Sequence, residues 1–427
     1  MRKGIRTMNI RIAKNCTLAA VGAALSCGAV GIEASNVTIN QSVDSHIVTV
    51  DYTLSGAPAI VTVDFLTNGV SIGERNFANV RGDVNRILAT DGNYSVKWNP
   101  ARSPAATISF DGFEVSASVK VWPVEDPPDY LVVNLAETNY ASPRVSYYVS
   151  TNALPGGGLA NDIYRTDRLV MRRIHAAGVR WRMGAVSADY AGSDSDVSLS
   201  AREAAHGVTL SEDYFIGIYP VTQGQGAYFS SRGTAFTDQD DSRLRPAGNV
   251  KYVNLRGSGA GNGGAVKPTS ALQELRTLTG VDFDLPTDAQ WEYACRAGTT
   301  TLLYSGKALT SANVYELGWI YGNSLLDGTR QTHPVGEKLP NGWGLYDLYG
   351  NVNEWCRDWY VADLGTDDVV DPVGPATGST RVLRGGNYLR GLRDWNVASS
   401  NRSGDIEDRT SNMDGFRLAC PLLLTYE

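Results

Sequence analysis

Histidine is scarce in this sequence, with four in 427 residues, and none of them stands at a ligand-like spacing from another. Zinc or non-haem iron held by imidazoles is therefore not expected. Cysteine is scarce too. Of five, Cys16 and Cys27 lie in the first 30 residues, which leaves Cys295, Cys356 and Cys420. An odd number of thiols in an oxidising compartment leaves at least one unpaired, and the sequence does not choose among the three single bridges. Basic residues are outnumbered, 38 against 45 acids, for a formal charge of −7. That balance disfavours nucleic acid and anionic membrane as partners and suits bound divalent cations. Beyond the N-terminus no apolar run is long enough to cross a bilayer, so no transmembrane segment is expected.

The N-terminus reads as a leader. Arg2, Lys3, Arg6, Arg11 and Lys14 precede an uncharged apolar run from Thr17 to Val30, and Ala34 offers a small residue for cleavage. Residues 1–34 are expected to be a signal peptide that directs the chain to the periplasm, the cell surface or the medium. In the alternative reading, Ala24-Leu25-Ser26-Cys27 is a lipoprotein box that would place a lipid anchor on Cys27.

What is abundant is glycine, 45 residues without a period, which implies a chain that turns often. Residues 36–124 are different. Val48, Val50, Tyr52 and Leu54 alternate with polar residues, as do Val61, Val63 and Phe65, then Tyr94, Val96 and Trp98, then Phe113 to Val121. Asn68-Gly69 supplies a tight turn. Period-two alternation of this kind predicts an immunoglobulin- or fibronectin-III-like β-sandwich, with a spacer or adhesion role. Pro123 to Asp129 reads as a stiff acidic linker, residues 125–129 forming its centre, and 130–427 as a second domain. Two helices are expected there: Ser270 to Thr279, stopped by Gly280, and one opened by Thr287 with Gln290 in a capping box and closed by Gly298. Trp291, Ala294 and Cys295 share a face of the second helix, so Cys295 is expected to be a buried structural thiol.

From Trp181 the second domain carries a series of motifs in order. They are Trp181-Arg182-Met183-Gly184, Val208 to Gln223, Leu285 to Gly298 (LPTDAQWEYACRAG), Pro334-Val335-Gly336, Asn341 to Trp355 (NGWGLYDLYGNVNEW), Arg381 to Asn387 (RVLRGGN) and Gly415-Phe416-Arg417. On these it resembles the formylglycine-generating enzyme, or sulfatase-modifying factor, family. The resemblance implies for this domain an elaborated C-type-lectin-like fold with little regular secondary structure, so the chain is expected to be α+β, the N-terminal all-β sandwich followed by that domain.

The resemblance also implies sites. Asp347 and Glu354, with the carbonyls of Gly350 and Val352, match the family's calcium loop. Asn323 and Asp327, with the carbonyls of Ser324 and Thr329, match a second calcium set. Calcium prefers six to eight hard oxygens, which such loops can supply; otherwise these are loop acids facing water. The family's active enzymes oxidise a sulfatase cysteine to formylglycine. They use copper(I) held by two thiolates in the pattern Arg-Gly-Gly-Ser-x-x-Cys-x-x-x-x-Cys. Here Asn387 stands at the serine, and Arg390 and Trp395 stand at the two cysteines. A guanidinium is always charged and only donates, so it cannot coordinate copper. Copper chemistry is therefore not expected. Nor is that of the related sulfoxide synthases, which need a histidine triad on a companion domain; the β-module has only His46. The expected cleft is lined instead by Asn387, Arg390, Arg393, Trp395 and Asn396, an arginine–tryptophan pairing suited to a peptide or glycan ligand. A structural alternative has Trp395 in the core and the arginines in surface ion pairs. The resemblance extends to lectin-like receptors with a diversified C-terminal segment, where Asn387, Asn396, Asn401 and Asn412 lie. The two surviving functions are a non-catalytic ligand-binding module and an active enzyme of the family, forming formylglycine or working by other chemistry.

Overall fold

The computed structural model describes residues 31–42, 45, 47–77, 79–100, 115–138, 144–194, 200, 203–229, 243–262, 266–391 and 397–422. The signal peptide's core, Cys27, His46 and the site residues Arg393, Trp395 and Asn396 lie outside them. The chain divides into two compact units. One runs to Val132 and takes in Val145–Asn161; the other is Val133–Arg144 with Asp162–Glu427.

In the first unit, strands Glu33–Gln41, Val48–Ser55, Gly92–Trp98 and Arg81–Gly82 form one antiparallel sheet in that order. Ala59–Thr67 organises the other, pairing with Val70–Ser71, Ile87–Leu88 and the long strand Val115–Pro123. Asn68 and Gly69 both take positive φ (49° and 78°), the geometry that joins two twisted strands through a two-residue turn. Alternation does its expected work. Val48, Val50, Tyr52 and Leu54 point to one core with Val61, Val63 and Phe65 of the other sheet, and Phe65 stacks on Trp98 at 4.4 Å. Two boundaries differ from expectation. The first strand already begins at Glu33, and Ala34 pairs with Leu54. Pro127 and Pro128 of the expected linker are buried, so the segment is packed rather than extended through solvent.

The second unit is α+β with short elements. The strand Asn353–Trp359 lies between antiparallel Arg381–Arg384 and parallel Asp414–Phe416, with Ser403–Asp405 outside. Arg168–Ile174, Tyr214–Gly217 and Ala419–Pro421 run side by side in another sheet. The helix Ala271–Thr279 is capped by Ser270 and ended by left-handed Gly280, as expected. The helix Asp288–Arg296 starts at Thr287, whose side chain accepts from the Gln290 amide while Gln290 reciprocates. It ends one residue early, because Ala297 takes the left-handed conformation itself (φ 47°) ahead of Gly298. Shorter helices, Ile163–Thr166, Gln223–Gly226, Tyr252–Arg256 and Ser311–Leu317, fill irregular chain that sequence periodicity had not marked.

The Asp288–Arg296 helix is buried on every side, Gln290 excepted, so it carries Asp288 and Glu292 into the interior. Each is met by arginine. Arg384 donates to Asp288 at 2.5 Å and to Glu292 at 2.9 Å, Arg402 donates to Asp288 at 2.6 Å, and Arg296 donates to Glu292 at 2.8 Å. Burial opposes ionisation of Asp288, but the adjoining Arg384 and Arg402 hold it below the usual carboxylate range. Buried charges persist only when paired and hydrogen-bonded this completely.

Candidate functional site

The sheet around Asn353–Trp359 fixes one end of the candidate site. Past Arg384 the chain turns through Gly385 (φ 84°) and Gly386 (φ 75°). A side chain at 385 would meet the Leu348 carbonyl at 3.1 Å and the Trp291 ring at 3.3 Å, so glycine is required by both angle and space. Arg384 itself does not line a cleft. It is fully buried and spends its donors on Asp288, Glu292 and the carbonyls of Ser399 and Asn401.

Asn387 is also turned inward, 2% exposed. Its oxygen accepts from the Leu389 amide (3.0 Å), and its nitrogen donates to Asn353 (3.2 Å). The structure thus corrects its assignment as a surface ligand contact: it shapes the turn. Asn401 is buried as well. The turn is pinned further by Tyr388 N–H donating to the Asn351 carbonyl and by Ser324 Oγ–H donating to the Tyr388 carbonyl. What the turn presents to solvent is Leu389 and Arg390. Tyr321, 51% exposed, lies alongside, its amide donating to the Arg390 carbonyl at 3.0 Å. The Arg330 guanidinium sits 3.7 Å over the Tyr321 ring. Sequence reading missed Tyr321 and Arg330. Their signal was Asp327-Gly328, a tight-turn dipeptide that folds Leu325–Leu326 back on Thr329–Arg330. An exposed phenol stacked under one guanidinium, with a second exposed arginine joined to it through the backbone, offers stacking and charge together, the chemistry of peptide, carboxylate or sugar contact.

A model of the sulfatase-modifying factor enzyme 1-like domain matches residues 174–422, more than half of the chain. The chain belongs to this family. Formylglycine-generating enzyme of Streptomyces coelicolor is 41% identical over 145 residues, 32% of this chain and 46% of the relative. The Bos taurus formylglycine-generating enzyme is 34% identical over 148 residues, 33% of this chain and 40% of the relative. The chain thus spans less than half the length of these curated relatives. Among solved structures, Treponema denticola variable protein 1 superposes with a TM-score of 0.46 and 25% identity, over 60% of this chain and 95% of that one.

Against this sulfatase-modifying-factor background the thiols are informative. Cys295, Cys356 and Cys420 are all free and all buried. Burial pushes the Cys295 thiol up to about 11 and the other two upward as well, away from the thiolate form that soft metals bind. Among the described residues no three His, Cys, Asp or Glu side chains are grouped to hold a metal ion.

The two calcium sets can be tested on their donors. Both oxygens of Glu354 are engaged: Arg417 donates to each (2.8 and 3.0 Å), and Trp291 Nε1–H donates at 2.6 Å. Asp347 accepts from the Gly336 amide (2.7 Å) and from Asn351 (3.3 Å). In the second set, Asn323 accepts from the Ile320 amide and donates to the Tyr315 and Gly318 carbonyls. The Ser324 carbonyl faces His333 Nε2 at 3.2 Å. Asp327 takes φ 50° at the tip of the hairpin with Thr329 across from Leu326. The side-chain oxygens of Glu354, Asp347 and Asn323 are spent on protein donors, and Asp327 stands exposed at the hairpin tip. As arranged here, Asp347, Gly350, Val352 and Glu354, and likewise Asn323, Ser324, Asp327 and Thr329, do not fit a calcium cage.

Proposed function

We propose that this protein is an exported, non-catalytic member of the family that binds a peptide or glycan through the surface around Arg390, with the N-terminal β-unit as its spacer. One observation carries the reading. Arg390, exposed at a pinned turn, stands where the resemblance puts the first of the two copper thiolates, and the described cysteines are each buried and unpaired. A permanent cation repels copper(I) and attracts carboxylates and polar hydroxyls. Arg393, Trp395 and Asn396 follow in sequence and complete the proposed ligand surface.

The experiment is a glycan and peptide array probed with the full-length protein and with Arg390→Ala and Trp395→Ala. Enrichment of one ligand class, weakened about tenfold or more in either variant, supports the reading, since hot-spot arginine and tryptophan side chains contribute on that scale. The alternative is an active enzyme of the family. Conversion of a Cys-x-Pro-x-Arg peptide to an aldehyde by the wild type would establish it and overturn the non-catalytic reading.

A further inference from the structure

A second concavity lies in the same unit, away from the 387–391 turn. It is a cleft of about 470 Å³, within the range of small-molecule sites. The turn Leu210–Tyr214, the start of the Asp288–Arg296 helix, Asp371–Val373 and Ala419–Pro421 wall it, and Arg276, Asp282, Asp284 and Arg357 line it between them.

Its charges are arranged unevenly. Asp284 is already neutralised from behind by Arg256, whose fully buried guanidinium donates to both its oxygens at 2.7 and 3.0 Å. Two further guanidinium groups nevertheless converge on the same oxygen without bonding to it, Arg276 at 3.9 Å and Arg357 at 4.0 Å. Arg276 spends its Nε–H on the Phe283 carbonyl at 2.8 Å but reaches Asp282 only at 3.7 Å through its terminal nitrogens, and Arg357 Nε is buried with no hydrogen-bond partner. Both side chains keep partial access to solvent, 21% and 25%. This part of the cleft therefore holds one more cation than its carboxylates balance, with donors unspent. The Leu210–Tyr214 and Asp371–Val373 walls are opposite in sign. Glu212 and Asp371 are exposed, and Asp371 meets only the Ser211 amide, whereas Asp213 is consumed by Arg173.

We propose that this cleft binds a small zwitterion of the amino-acid type, its carboxylate bridging Arg276 and Arg357 and its cationic group facing Glu212 and Asp371. Two forked guanidinium groups suit the two oxygens of one carboxylate. The acidic wall rejects polyanions and di-anions, which separates this ligand class from phosphate or sulfate donors. None of the residues used here belongs to the proposed ligand surface around Arg390, so the two readings stand or fall separately.

Isothermal titration of the full-length protein with three probes tests it: L-arginine, agmatine (the same cation without the carboxylate) and inorganic phosphate. L-Arginine is expected to bind, agmatine about tenfold or more weaker and phosphate weaker still, because the bridging charge-assisted bonds need the carboxylate. Arg357→Gln should lose about tenfold in L-arginine affinity, while Glu212→Gln, at an exposed position, should weaken L-arginine and strengthen phosphate, since it removes part of the wall that repels the di-anion. Equal binding of agmatine and L-arginine, tighter binding of phosphate, or no heat with any probe at millimolar concentration would each overturn the proposal, and the wild-type comparison needs no variant to fold.

Discussion

At the scale of single residues the molecule is governed by what its buried charges meet. Arg384 serves two carboxylates and two carbonyls with no access to solvent. Arg384→Met should therefore cost about 3–5 kcal/mol in urea denaturation, since it leaves Asp288 to Arg402 alone and Glu292 to Arg296 alone and takes the donor from two buried carbonyls. Arg384→Lys should also destabilise, because one ammonium cannot replace a five-donor fork; a loss under about 1 kcal/mol would show that the network is not what holds the core. Asp414 is the opposite case. Burial pushes its carboxyl up to about 6, although Asn353 donates to it at 2.7 Å. A folded pKa above the unfolded value means the native state keeps this proton where the unfolded chain has lost it. Its contribution is thus fully present below about pH 4 and is lost as pH rises through about 6. Asp414→Asn is expected to flatten the stability–pH curve between those values by about 1–3 kcal/mol; an unchanged curve would contradict the burial argument.

At the scale of elements the caps were the most legible feature. Thr287 with Gln290 and Ser270 with Gly280 are local devices, satisfied by neighbours within four residues, so sequence alone announces them. The exception is Ala297, left-handed one residue before the glycine expected to stop the helix. Ala297→Gly should raise stability by about 0.5–1 kcal/mol, because alanine is strained at that angle and glycine is not. The hairpin at Asp327-Gly328 offers the sequence two readings, a tight turn and a cation site. Aspartate serves tight turns and calcium alike, and the pairing of Leu325–Leu326 with Thr329–Arg330 establishes the turn. Asp327→Asn retains the turn and removes the charge, so its melting temperature should match the wild type, while Asp327→Val should fall measurably. A drop with Asn would favour a charge-dependent role. Asn387 turns inward for a related reason: whether a polar side chain in a glycine-rich run faces inward depends on partners such as Asn353, distant in sequence.

For the whole molecule, alternation in the first unit was readable because a two-sheet core imposes period two on every strand. The second unit's irregular loops impose no period, and there only motif resemblance located the elements. The unit boundary was not readable at all, because Val145–Asn161 clusters with the first unit after an excursion that composition does not mark. If Arg417 supplies the charge that balances Glu354, chelation should leave the melting temperature of the full-length protein unchanged; a fall of several degrees would show that calcium stabilises the native state. The central claim concerns oxidation. Full-length protein supplied with copper(I) and oxygen is incubated with a Cys-x-Pro-x-Arg peptide, and any aldehyde is trapped as a hydrazone and read by mass spectrometry. The account predicts that the peptide's cysteine is recovered intact; catalytic accumulation of the hydrazone would contradict it.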